Sequence, residues 1–159
     1  MAAACAPLAL LAKANPLQSG RGTAGREHTL RTLLDTLIPA DASPAASALG
    51  IDRTLLELAV RNEDYSRLLD EGAAWLDRSA RALGAQSFAA GTEEQRIAIV
   101  RQAERARPQT LPRRLFERVR YDALRLYYAQ PATWPSVGYA GPPQPVGFPD
   151  FERPPAVRR

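Results

Sequence analysis

The sequence predicts an all-α fold, a small bundle of about five helices that ends in an extended carboxyl-terminal strap. Three observations predict it. Apolar residues recur at i, i+3, i+4 and i+7 along most of the chain. No segment alternates polar and apolar side chains over the length of a strand. From residue 131 the helical period stops, and proline and glycine recur every few residues among large aromatics. The organisation that follows is an amino-terminal signal and linker over 1–26, a helical domain over 27–130 and a partner-docking tail over 131–159.

The stretch "AAACAPLALLAKA", residues 2–14, is apolar and built of small residues. It is shorter than the roughly 20 residues a membrane-spanning helix needs. It resembles the apolar region of an export signal, and Ala12-Lys13-Ala14 has the small-x-small form of a cleavage site. The charged segment that normally precedes such a region is missing. An export signal without its first residues is therefore expected, with an apolar helix or tail as the alternative. A lipoprotein site at Cys5 is disfavoured, because Ala2 stands where a leucine is usual. Residues 15–26, "NPLQSGRGTAGR", read as a mobile linker.

The helices follow in order. Leu30, Leu33, Leu34, Leu37 and Ile38 share one face of a first helix that stops at Pro39. "ADASPAASALG" is a loop, punctuated by Gly50. Ile51, Leu55, Leu58 and Ala59 mark a short second helix. Tyr65, Leu68, Leu69, Gly72, Leu76, Ser79 and Leu83 line a third, ended by Gly84. Thr92 and Gln95 form a capping-box pattern ahead of a fourth helix, with two acids in its first turn and Pro108 beyond its end. The fifth begins near Pro112 and carries Leu115, Val119, Ala123 and Leu126. It ends before Pro131, because a residue preceding proline resists the α region.

Composition excludes several kinds of chemistry. Of 159 residues, 45% are hydrophobic and 24% charged, which suits a globular core rather than a disordered chain. The 21 basic and 17 acidic residues leave a mild excess of +4, nearly all of it from arginine, since Lys13 is the only lysine. A single cysteine forbids an intrachain disulfide. One cysteine and one histidine leave no His/Cys metal site. A Ser-His-Asp triad would have to use His28, which reads as an exposed polar residue at a helix start. Asp64, Asp70, Glu71 and Asp77 fall on the polar side of the third helix, the ordinary place for carboxylates. No phosphate-binding loop, dinucleotide fingerprint or nucleophile elbow is present. Arg113, Arg114, Arg118, Arg120 and Arg125 crowd the fifth helix, so a helical nucleic-acid-binding protein is one alternative. Glu117 and Asp122 interrupt that run, which favours a solvated or partner-facing surface. An independent enzyme is a further, weaker alternative.

The tail has its own arithmetic. Prolines at 131, 135, 142, 143, 145 and 149 favour extended backbone. At about 3.1 Å per residue, twenty such residues reach roughly 60 Å, beyond a helical body with a radius of gyration of about 13 Å. Each buried aromatic ring offsets part of the ordering cost, roughly 4–6 kcal/mol for about 150–250 Å². Trp134, Tyr139, Phe148 and Phe151 are thus candidate anchors, and Pro142 and Pro143 hold the chain straight between them. The tail is expected to dock at least partly on a larger partner. A tail wrapped on its own helices is the alternative.

Two stretches carry a family resemblance: "LIPADASPAASALG" after the first helix, and "YYAQPATWPSVGYAGPPQPVGFPD" near the end. Both are similar to the gluconate 2-dehydrogenase subunit 3 family, over residues 27–151. The sequence departs from that pattern at Ala140, where proline is common, and at Phe148, where tyrosine is common. The resemblance implies a small non-catalytic subunit of a membrane-associated, periplasm-facing dehydrogenase, with no catalytic, cofactor or metal residues of its own. It also implies a catalytic partner of the glucose–methanol–choline oxidoreductase family that holds FAD, and often a cytochrome c subunit with haem. Export on a twin-arginine signal, with the folded partner carried along, is the implied route.

Overall fold

The amphipathic stretches become α1 (Pro16–Leu37), α2 (Ile51–Val60), α3 (Glu63–Ala82), α4 (Glu93–Arg105) and α5 (Leu111–Tyr128). Two 3-10 helices, Ser47–Leu49 and Pro131–Val137, complete the element order. The computed structural model describes residues 16–141, with side chains from residue 24 onward. Among the described residues there is no strand, and the fold is the all-α bundle that the periodicity predicts.

The core forms where the helical faces coincide. α3 and α5 each pack against all four other α-helices and cross at the centre. Leu33 and Leu34 of α1, Ile51 and Leu55 of α2, Leu69 and Leu76 of α3, Ile99 of α4 and Leu115 and Val119 of α5 are all buried. Gly72 makes the α3–α5 crossing close, since a Cβ there would overlap the terminal methyls of Leu115. Phe88, in the loop before α4, is fully buried and closes the same core. That loop has no periodicity to announce a core residue. It is held by Asp77, whose Oδ1 accepts from the Phe88 N–H at 2.9 Å.

Local signals set most of the helix ends. Asn62 caps α3 by accepting from the Tyr65 N–H at 2.9 Å. At α4, Thr92 Oγ1 accepts from the Gln95 N–H (3.3 Å) and Gln95 Oε1 accepts from the Thr92 N–H (2.8 Å), which is the capping box the sequence predicts. Gln95 Nε2 also donates to the Leu83 carbonyl at 2.8 Å, joining the start of α4 to the end of α3. Proline stands in the first turn of α5, as expected.

The structure departs from the sequence reading in three places. The stretch 16–26, read as linker, is helical backbone and forms the first turns of α1. Its glycines cost about 1 kcal/mol each in a helix, but a helix already nucleated by packing extends at little further cost. The Arg26 Nη1–Asp70 Oδ1 pair at 2.6 Å ties this part of α1 to α3. His28 consequently lies inside α1, exposed, rather than at a helix start. Leu83, read as part of the α3 face, is the residue that closes the helix and is 48% exposed. Finally, the strap read as extended from residue 131 begins as a 3-10 helix, Pro131–Val137.

Candidate functional site

No cluster of three or more His, Cys, Asp or Glu side chains suited to a metal occurs among the described residues. A cleft of about 560 Å³ is lined by Thr32, Asp35, Pro39, Glu93 and Arg96. Its Asp35 carboxylate is committed: Oδ1 accepts from the Ser47 N–H at 2.9 Å and Oδ2 from the Ser47 hydroxyl at 2.7 Å. Asp77 is likewise committed, to Phe88. Asp70 pairs with Arg26, and Asp64 lies 3.6 Å from Arg67. The carboxylates of α3 therefore hold the bundle together or face solvent.

Three of the α5 arginines, Arg113, Arg118 and Arg120, are similarly engaged. Arg113 Nε bonds Glu117 at 2.6 Å, and its Nη1 donates to the Glu104 carbonyl. Arg120 stacks over Phe116 at 5.5 Å. Arg118 Nε donates to the buried Asp122 carboxylate at 2.7 Å, and its guanidinium lies 4.6 Å from the centre of the Tyr65 ring. The bond to Asp122 raises the Arg118 pKa. Burial pushes the Tyr65 hydroxyl well above its ordinary range, and the Asp122 carboxylate beside it acts in the same direction. Asp122, which read as an interruption of a basic run, is thus the buried counter-charge that seats Arg118 over Tyr65.

The two motif stretches meet at the carboxyl end of α5. The loop after α1 is closed by the Ala46 N–H, which donates to the Ile38 carbonyl at 3.2 Å. Within it, Asp41 Oδ1 accepts from both the N–H and the hydroxyl of Ser43, each at 2.8 Å. These bonds hold the exposed Asp41 carboxyl below its ordinary range. Tyr127, 2% exposed, brings its hydroxyl to 2.7 Å from the Pro44 carbonyl and 2.9 Å from Ser43 Oγ. Since the Ser43 proton goes to Asp41, the single Tyr127 proton is shared between those two acceptors. The loop is therefore pinned, while its tip, Pro39 to Ala42, stays exposed.

The other side of Tyr127 receives the tail. Thr133 is fully buried, and its hydroxyl donates to carbonyls at the end of α5, Tyr127 at 3.1 Å and Gln130 at 2.9 Å. Trp134 is half-buried, and its indole N–H donates to the Tyr128 carbonyl at 3.1 Å. Tyr139 stacks edge-on against Trp134 at 5.1 Å. Gly138, at φ +68°, turns the chain so that this pair can form. Gly141 lies against the indole, 3.7 Å from its Cζ3 by the position a Cβ would take. A proline φ near −65° suits both an extended chain and a 3-10 turn. The bonds from Thr133 and Trp134 to α5 select the turn.

Of the predicted anchors, the structure thus brings Trp134 and Tyr139 together, with Tyr139 44% exposed. Pro142, Pro143, Phe148 and Phe151 lie outside the described residues, as do Cys5 and the apolar stretch 2–14. Tyr127 and Tyr128 read from sequence as packing within the body, which Tyr127 does at 2% exposed and Tyr128 does not at 49%; at this end sequence reasoning thus missed Ser43, the exposure of Tyr128, and Val137. The Asp-x-Ser spacing at 41–43 was a readable signal for the first, as a side chain bonded to the backbone two residues on. The other two have no local signal, because their exposure depends on which surfaces the bundle covers.

A family model described as gluconate 2-dehydrogenase subunit 3 matches residues 24–141, from within α1 to the glycine that covers Trp134. No curated protein and no solved structure matches the chain. The match takes in all five helical faces, the pinned loop and the docked Trp134–Tyr139 segment, so the chain belongs to the gluconate 2-dehydrogenase subunit 3 family.

Proposed function

We propose that this chain is the non-catalytic small subunit of a periplasm-facing, FAD-dependent dehydrogenase of sugars, sugar acids or alcohols. Membership of a family named for a dehydrogenase subunit is the observation that carries the reading. Asp35, Asp70 and Asp77 are spent on structural contacts, which supports an accessory role. The described residues form no strand–turn–helix unit to seat a dinucleotide. On this reading FAD belongs to the partner, a flavoprotein of the glucose–methanol–choline oxidoreductase family, and haem to a cytochrome c subunit where one is present. None of the described helices is long and apolar enough to cross a membrane; on this reading, contact with the membrane comes through the complex. The chain acts as export escort and maturation partner of the flavoprotein, on a twin-arginine route.

The test is to produce the flavoprotein with and without this chain and measure exported, FAD-loaded enzyme by flavin absorbance and dehydrogenase activity in the periplasm. A fall in both without the chain is expected. Equal export and equal flavin loading would remove the escort role. A flavin spectrum or dehydrogenase turnover from the isolated chain would remove the non-catalytic one.

A further inference from the structure

Six large apolar side chains are prominently exposed among the described residues, and three of them, Tyr128 (49%), Val137 (55%) and Tyr139 (44%), belong to the carboxyl end of α5 and the segment docked on it. The loop tip Pro39–Ala42 is anchored to the same end through Tyr127. We propose that these two segments form one composite docking face, and that its occupant is the catalytic dehydrogenase subunit. The inference rests on the accessory-subunit reading and adds to it a place on this chain.

Three features argue for an interface. The first is rigidity without coverage. The loop tip is exposed, yet its backbone is closed by the Ala46–Ile38 bond and its one carboxylate is occupied by Ser43. A surface already ordered loses little freedom on binding. The second is composition. Tyrosine beside aliphatic and proline side chains, with few free charges, is the make-up of an interface centre rather than of a solvated surface. The third is where the chain goes. Residues 142–159 leave from Gly141, against the Trp134 ring, so the last eighteen residues start at this face. That segment carries Phe148 and Phe151 among prolines, side chains suited to the partner that occupies the face. A second copy of this chain would also bury these side chains, but the family is that of a subunit of a dehydrogenase, so the occupant is the dehydrogenase subunit.

The experiment uses the full chain co-expressed with its flavoprotein subunit. Tyr139→Ser and Val137→Asp should each weaken capture of the flavoprotein by about tenfold or more. Leu83→Ser and Val60→Ser, at side chains 48% and 87% exposed at the ends of α3 and α2, should leave it unchanged. Hydrogen exchange on the unsubstituted complex should show new protection at 39–42 and 128–139. That readout needs no variant and guards against misfolding. Capture lost with Leu83 or Val60 but retained with Tyr139 and Val137 overturns the face. So does protection confined to other helices. A homodimer by light scattering that the face variants disrupt, with flavoprotein capture intact, overturns the occupant. Failure of the unsubstituted chain to bind any flavoprotein overturns the accessory-subunit reading itself, and is distinct from the other outcomes.

Discussion

At the scale of single residues, two buried tyrosines do different work. Tyr65 is 3% exposed, and its hydroxyl finds no hydrogen-bond partner in good geometry beside Asp122. Its pKa is raised, chiefly by burial. A group raised in the folded state stabilises the fold fully below its unfolded value, about 10, and loses that contribution as pH rises through the folded value. The denaturation midpoint should therefore fall more steeply above about pH 10 in the unsubstituted protein than in Tyr65→Phe. Parallel profiles would show that Tyr65 is not the alkaline trigger. Tyr127 is a peg, with its hydroxyl between Ser43 and Pro44. Tyr127→Phe removes the bonds but keeps the ring, so a loss of about 1–2 kcal/mol is expected. Hydrogen exchange of residues 38–46 should quicken, while the interior of α3 keeps its protection. An unchanged loop would mean that Ala46 and Asp41 hold it unaided.

At the scale of elements, caps and crossings decide stability. The capping box at Thr92 was legible because its spacing is local and its chemistry is specific. Thr92→Ala should cost about 1 kcal/mol. The α3–α5 crossing is a different case. Gly72 reads from sequence as one more small residue on an apolar face. In the structure a Cβ there overlaps the side chain of Leu115, which is 1% exposed and would have to shift within the packed core. Gly72→Ala should accordingly destabilise by about 1–3 kcal/mol, despite the better helix propensity of alanine. Chemical denaturation checks it: a lowered midpoint with an unchanged slope is expected. A midpoint at or above that of the unsubstituted protein would show that the helices can move apart at no cost.

At the scale of the whole molecule, the loop after α1 and the segment after α5, ninety residues apart in the chain, share Tyr127 as a common support. Trp134 joins the second of them to α5 through the Tyr128 carbonyl and supports Tyr139. Trp134→Ala should therefore weaken partner capture by about 2–4 kcal/mol. The helical circular dichroism of the free subunit should barely change, because the indole packs outside the five α-helices. Co-purification alongside thermal melts separates the two effects. If the variant unfolds the free subunit and still binds the partner, the segment is a lid on its own core.

Helix number, faces, most boundaries and the family resemblance were all set by features short in sequence: a period of 3.6, a cap, a proline, a motif. Those features act within a few residues of chain, so the sequence by itself determined them. It did not determine that 16–26 would be helical, that Phe88 would fill the core from a loop, or that the strap would open as a 3-10 turn against α5. Each of these was settled by contacts between distant parts of the chain. Glycines and prolines leave more than one backbone conformation close in energy, and only the tertiary partners, Asp70 for Arg26, Asp77 for Phe88, the end of α5 for Thr133 and Trp134, choose among them.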